Sequence, residues 1–127
     1  MNARIDYLTL EDLIDFGKFL IPDFRIRDLG LLNSAVVRPQ TIIYGREAYP
    51  EFAEKVAALM HSLARNQALI DGNKRIAWSA GSLFCIMNHC DLKAPVADAE
   101  RMVVDLASGA LDVSPLTVWL NKHIISW

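Results

Sequence analysis

Apolar residues in this chain recur at intervals of three and four, segment after segment, which restricts it to a packing of amphipathic helices. Thr9-Leu10-Glu11-Asp12 reads as a capping box with Asp12 in the place usual for Glu or Gln; Leu13, Phe16 and Leu20 follow, and Pro22 stops the run. Asp28 to Val37 predicts a second helix capped by Asp28. Pro50 suits the first turn of a third, with Phe52, Val56, Leu59, Met60 and Leu63 as its stripe. A fourth runs from about Asn73 to Asn88 and should bury Ile76, Ala80, Leu83, Phe84 and Met87. Val96 to Ala107 is a fifth, ended by Ser108-Gly109, and Ser114 caps a last helix with Pro115 at its first position and Leu116, Trp119 and Leu120 inside. One stretch breaks the rule. Arg38 to Gly45 carries β-branched and aromatic residues between Pro39 and Gly45, too few to build a sheet and enough for a small hairpin or flap. The expected fold is all-α, a compact bundle of about six helices with a short β-like flap. At 127 residues the chain is expected to form a single domain over residues 1–127.

The net charge of −2 removes any bulk electrostatic case for nucleic acid, though a local basic cluster can still hold a nucleotide. A hydrophobic fraction of 53% is on the high side and leaves room for an apolar partner-binding surface beside the core. Cys85 and Cys90 lack metal-ligand spacing; read on one helix they face differently, and two buried thiols in a reducing compartment is the plain reading. No apolar run approaches the roughly 18 residues of a membrane span, and a cytoplasmic chain is expected.

The polar residues concentrate between the third and fourth helical patterns. There, Asp71-Gly72-Asn73-Lys74-Arg75 puts a carboxylate, a glycine, an amide and two adjacent cations at a helix start. Unpaired N–H groups and the helix dipole favour an anion at such a place. Gly72 permits close backbone approach, Lys74 adds a point charge, and Arg75 can grip two phosphate oxygens. Asp71 would repel bare phosphate and makes sense with Mg2+ between them; Asn73 can bond phosphate or hold the loop. An ordinary helix cap with two solvated cations behind it would contain the same residues, so the spacing alone does not decide.

The string Leu63-Ala64-Arg65-Asn66 followed by Asp71-Gly72-Asn73-Lys74-Arg75 resembles the motif of the Fic/Doc family, His-x-Phe-x-Asp-Gly/Ala-Asn-Lys/Gly-Arg. Lys74 points to the Doc (death-on-curing) branch, since Fic adenylyltransferases carry a second glycine there. Tyr7-Leu8-Thr9, Arg27-Asp28-Leu29-Gly30-Leu31-Leu32 with Ser34-Ala35, and Arg38-Pro39-Gln40 are similar to Doc-like chains as well. So are Tyr49-Pro50, Ala77-Trp78 and Ala107-Ser108-Gly109, so that the likeness spans nearly the whole sequence. The resemblance implies the Fic fold and a bacterial toxin held by a Phd-like antitoxin. It implies a kinase that moves the γ-phosphate of ATP, with Mg2+, to a hydroxyl of elongation factor Tu and so stops translation. Carried over by position, Asp71 serves the nucleophile's surroundings and the Mg2+. Gly72, Asn73, Lys74 and Arg75 hold phosphates, Arg65 assists from just before the loop, and Arg38 to Gly45 is the flap that positions the protein substrate. The runners-up are AMP transfer by a Fic-type adenylyltransferase and a catalytically dead protein that only binds antitoxin.

Two positions depart from the motif. Leu69 stands for Phe, a tolerable core exchange. Gln67 stands for the His that would take the proton from the target hydroxyl, a task needing a pKa near the working pH. An amide cannot take that proton, and a folded, nucleotide-competent, strongly impaired enzyme is expected. His61 lies six residues before Gln67 and is the nearest substitute in sequence, but a core-edge histidine is the simpler expectation. Trp78, Trp119 and Trp127 are expected as anchors in the core and at the end of the chain, and Arg25 and Arg27 as residues of a solvated loop.

Overall fold

The helix Phe52–Asn66 (α3) occupies the centre of the computed structural model, which describes residues 4–127. Around it in chain order stand α1 (Leu10–Leu20), α2 (Leu29–Val37), α4 (Asn73–Met87), α5 (Val96–Ser108) and α6 (Val113–His123), and α3 packs most extensively against α4, α6 and α2. Ala53, Ala57, Ala58 and Ala64 let neighbours approach on several sides, while Val56, Leu59, Met60 and Leu63 fill the space between them. Ten of its fifteen residues are buried, which makes it the core helix although it carries polar residues as well. The apolar stripes named above meet in one cluster containing Leu13, Leu32, Ile76, Phe84, Leu106, Leu116 and Leu120, as the periodicity requires. Leu83 and Met87 reach only its edge and stay half-buried.

The caps follow local chemistry. Thr9 and Asp12 form the expected reciprocal box, at 3.0 and 3.1 Å. The Asp28 carboxylate accepts from the Leu31 N–H at 3.0 Å. Two expected starts are corrected. Pro50 lies ahead of α3, whose N-cap is Glu51; Glu54 accepts from the Glu51 N–H at 3.1 Å and closes that end instead. The last helix begins at Val113 with Asp112 at its N-cap, which puts Ser114 inside the first turn. Asp112 does not cap with its side chain, which faces His61 at 3.7 Å.

The expected flap is a short 3₁₀ turn, Arg38–Gln40, and a hairpin of β1 (Ile42–Ile43) and β2 (Arg46–Glu47). Tyr44 and Gly45 both take positive φ at its tip, the conformation that two-residue hairpins favour. A second pair of strands has no counterpart in the expectations: β3 (Cys90–Leu92) and β4 (Ile124–Ser126) run antiparallel, with Asp91 opposite Ile125. Cys90 therefore sits on a strand. Its thiol donates to the Cys85 carbonyl at 3.3 Å, so the two cysteines are neighbours and do not face apart. Both are buried and free, and burial pushes both thiols up in pKa. Among the described residues, no helix is long and apolar enough to cross a membrane.

Candidate active site

Gln67 ends α3 in the left-handed region, at φ 49° and ψ 50°. From there the chain runs beside the segment before α2. The Ala68 carbonyl accepts from Arg27 N–H at 2.7 Å and Asp28 N–H at 3.0 Å, and the Ile70 N–H donates to the Arg25 carbonyl at 3.0 Å. Ile26 and Leu69 form an antiparallel bridge between them. Ala68 and Leu69 turn into the core, which leaves Gln67, Ile70 and Asp71 facing outward. Leu69 thus fills the place of the motif's Phe as a buried anchor.

Asn73 holds the loop. Its carbonyl oxygen accepts from the Leu69 N–H and its amide donates to the Leu69 carbonyl, both at 3.0 Å. Both edges of the side chain are engaged in closing the loop. Gly72 takes φ 90°, and a Cβ there would meet Ile21 Cδ1 at 2.8 Å. A side chain is excluded twice, by backbone conformation and by space. Asp71 is exposed and accepts from the Gly72 N–H at 2.9 Å.

The loop and the start of α4 border a cavity of about 730 Å³. Its lining brings together Gln67, Asp71, Gly72, Asn73, Lys74 and Arg75, closed off by Ile21, Pro22, Ala64, Ile70 and Ala107. No side chain caps α4, so its first N–H groups remain to serve a ligand. Lys74 and Arg75 are exposed and enter no ion pair among the described residues. Two cations and a helix start stand on one wall of this cavity, an arrangement of the kind that attracts anions. Gln67, on the same lining, contributes a neutral amide.

Other expected members lie elsewhere. Arg65 is not on the lining; its guanidinium lies against the turn at Gly109, where a Cβ would come within 2.9 Å of Nη1. The hairpin is not on the lining either. His61 is engaged away from it. Arg38 donates to its Nδ1 at 2.9 Å, which leaves the ring proton on Nε2, towards Asp112 at 3.7 Å. Burial first, then the Arg38 and Arg65 cations, hold the His61 pKa below its ordinary 6.5. It is a core-edge residue and no substitute for a base at position 67.

Arg27 is an exposed loop residue, as expected, with a structural task besides. Its Nε donates to the Gln67 carbonyl at 2.8 Å and its Nη2 to the Asn66 carbonyl at 3.2 Å, so it holds the end of α3. Nothing in the sequence links position 27 to position 67; the pairing is made by the fold. Ile21, Pro22, Ala64 and Ala107 were also missed, because apolar walls carry no chemical signal of their own. Trp78 and Trp119 meet edge to face at 6.3 Å, and Trp127 donates to Asp91 at 3.0 Å at the end of β4, in keeping with anchoring roles. A second, more apolar cavity of about 520 Å³ between α4 and α5 shares Lys74 and Arg75 with the first.

The Fic/DOC family model matches residues 7–85 of this chain. A protein named Toxin Doc from Mycolicibacterium smegmatis is 42% identical to it over 118 residues, covering 91% of each chain. The matched stretch includes α3, the loop and nearly all of α4, the parts that carry the polar lining of the cavity. The chain belongs to the Fic/Doc family.

Proposed function

We propose that this protein is the toxin of a toxin–antitoxin pair, a Doc-type kinase fold that transfers the γ-phosphate of ATP to a hydroxyl of elongation factor Tu, impaired at Gln67. The observation that carries the reading is the single cavity lined by Gly72, Lys74, Arg75 and Gln67. Family members are transferases that use ATP with a metal. The residues present fit that pair: unpartnered cations and free helix-start amides suit a polyphosphate, and one exposed carboxylate, Asp71, suits an Mg2+ held mainly by phosphate. Bound ATP with Mg2+ would supply the transferable phosphoryl group and offset its charge.

The chain's own residues then divide the work. Arg75 and Lys74 draw and orient the phosphates, with Arg75 able to take two oxygens side by side. Gly72 lets the backbone come close, and Asn73 keeps the loop in shape from behind. Asp71 stands beside the phosphates for the metal. At position 67 the attacking hydroxyl needs an acceptor for its proton, and Gln67 offers none. Loss of a general base lowers the rate on the order of 10²–10⁴. Lys74 in the motif favours phosphate transfer over AMP transfer. Incubating the Gln67→His form with elongation factor Tu and ATP labelled at the α or γ position tests this. Transfer of the γ label supports the kinase reading, and transfer of the α label supports the adenylyltransferase.

The second reading is a binding role, in which the present chain engages a Phd-like antitoxin without catalysis. The apolar cavity beside Lys74 and Arg75, with Trp78, Val96, Val103 and Val104 on its wall, favours a partner helix with a greasy face. Antitoxin binding by the Gln67 form, with no phosphate transferred until histidine is introduced, is the outcome that reading expects.

A further inference from the structure

We infer that Arg27 is a positioning residue for position 67, holding the backbone of that residue in place from a different part of the chain. This rests on the kinase reading for its kinetic consequence and on geometry alone for its structural one. Arg27 touches three successive peptide carbonyls. Its Nη2 donates to Asn66 O at 3.2 Å and its Nε to Gln67 O at 2.8 Å. Its backbone N–H donates to Ala68 O at 2.7 Å.

Those carbonyls belong to the place where α3 gives way to the loop. The last carbonyls of a helix lack intrahelical donors and carry partial negative charge, and a planar cation answers both needs. Residue 67 also adopts φ 49° without being glycine, at a helix end where glycine is the usual occupant. A conformation that L side chains disfavour persists when its surroundings hold it. Here the holding is done by Arg27, with Arg25 O on Ile70 N–H and Asn73 on Leu69 farther along the loop. Arg27 is exposed and enters no ion pair among the described residues, so these carbonyls are its partners. Without the 2.8 Å bond to its carbonyl, residue 67 loses a restraint on its left-handed backbone, and its side chain, on the cavity lining, loses a fixed starting point.

The test has two arms. In the Gln67→His background, Arg27→Gln should lower kcat for phosphate transfer on the order of tenfold to a hundredfold while KM for ATP moves less than about twofold. Arg27→Lys, which keeps the charge and one donor, should recover part of the loss. In the unmodified chain, hydrogen exchange should quicken at Leu69 and Ile70 in Arg27→Gln and stay unchanged in the middle of α3 and α4. The second arm needs no activity. If Gln67→His transfers no phosphate, the kinase reading fails and exchange alone decides the role of Arg27. Unchanged exchange overturns the inference. So does a rise in KM at constant kcat, which would make Arg27 a ligand contact, or faster exchange throughout the fold, which would make it a general stabiliser. Loss of antitoxin or elongation factor Tu binding with exchange unchanged would make it a docking arm and overturn it equally.

Discussion

Gly72 and Arg75 show what single residues do at this site. At Gly72 a methyl group meets both a positive φ of 90° and Ile21 at 2.8 Å. Gly72→Ala should lower stability by about 1–2 kcal/mol from the backbone conformation alone, read by urea denaturation. It should also weaken ATP binding, because relief of the contact moves the start of α4. Arg75→Ala removes an unpaired cation from the cavity and should leave stability nearly unchanged. Its ATP affinity, measured by calorimetry, should drop on the order of tenfold, the worth of one charge-assisted hydrogen bond; unchanged affinity would place the phosphates elsewhere. His61 contributes at the same scale through its proton. Its folded pKa lies below the ordinary 6.5. Above that value both folded and unfolded chains keep it neutral and its contribution is whole. Below it the unfolded chain takes the proton first, so stability drains away as pH falls towards the folded value. The denaturation midpoint should therefore fall more steeply from pH 7 to pH 5.5 in the parent than in His61→Gln.

At the scale of elements, the hairpin is fastened to α3 by a charge that the sequence gives no reason to bury. Lys55 is 2% exposed; its ammonium donates to Glu47 Oε1 on β2 at 2.9 Å and also to the Tyr49 carbonyl. Arg38 pins the other end, reaching the Tyr49 hydroxyl at 2.9 Å and Ser62 Oγ at 3.0 Å. Yet Ile42, Ile43 and Tyr44 between these anchors are exposed. Lys55→Met should thus change global stability modestly, since Glu47 can return to water. Amide exchange across Ile42 to Glu47 should rise sharply; protection equal to the parent's would show that Arg38 alone secures the hairpin. Helices α1, α2, α4 and α5 could be read from stripes and local end signals, and α3 from its stripe though not from its Glu51–Glu54 cap. The start of α6 could not, since Ser114-Pro115 offers a tempting cap while Asp112 serves as N-cap and turns its carboxylate to His61. The β3–β4 pair was beyond reach for another reason. Three residues on either side of the α5–α6 pair carry no periodicity, and the pairing of Cys90 with Ser126 is decided by tertiary packing.

In the whole molecule, a buried central helix delivers position 67 to one end of the bundle, where the start of α4 presents its amides and two cations. The polar lining of the cavity was readable in the sequence, because Asp71 to Arg75 are contiguous at a helix start. Its support was not. Arg27 reaches position 67 across the fold, the walls at Ile21, Pro22 and Ala107 come from two other helices and their ends, and Arg65 faces Gly109 rather than the cavity. What remains is chemically lopsided: two cations stand at the start of α4, and the residue beside them at position 67 is an amide. The direct measurement is the rate of γ-phosphate transfer from ATP to elongation factor Tu by the parent chain and by Gln67→His, with ATP affinity measured on both. A gain on the order of 10²–10⁴ in the histidine form at similar ATP affinity is the predicted result, and equal rates in the two forms, or no transfer by either, would contradict it.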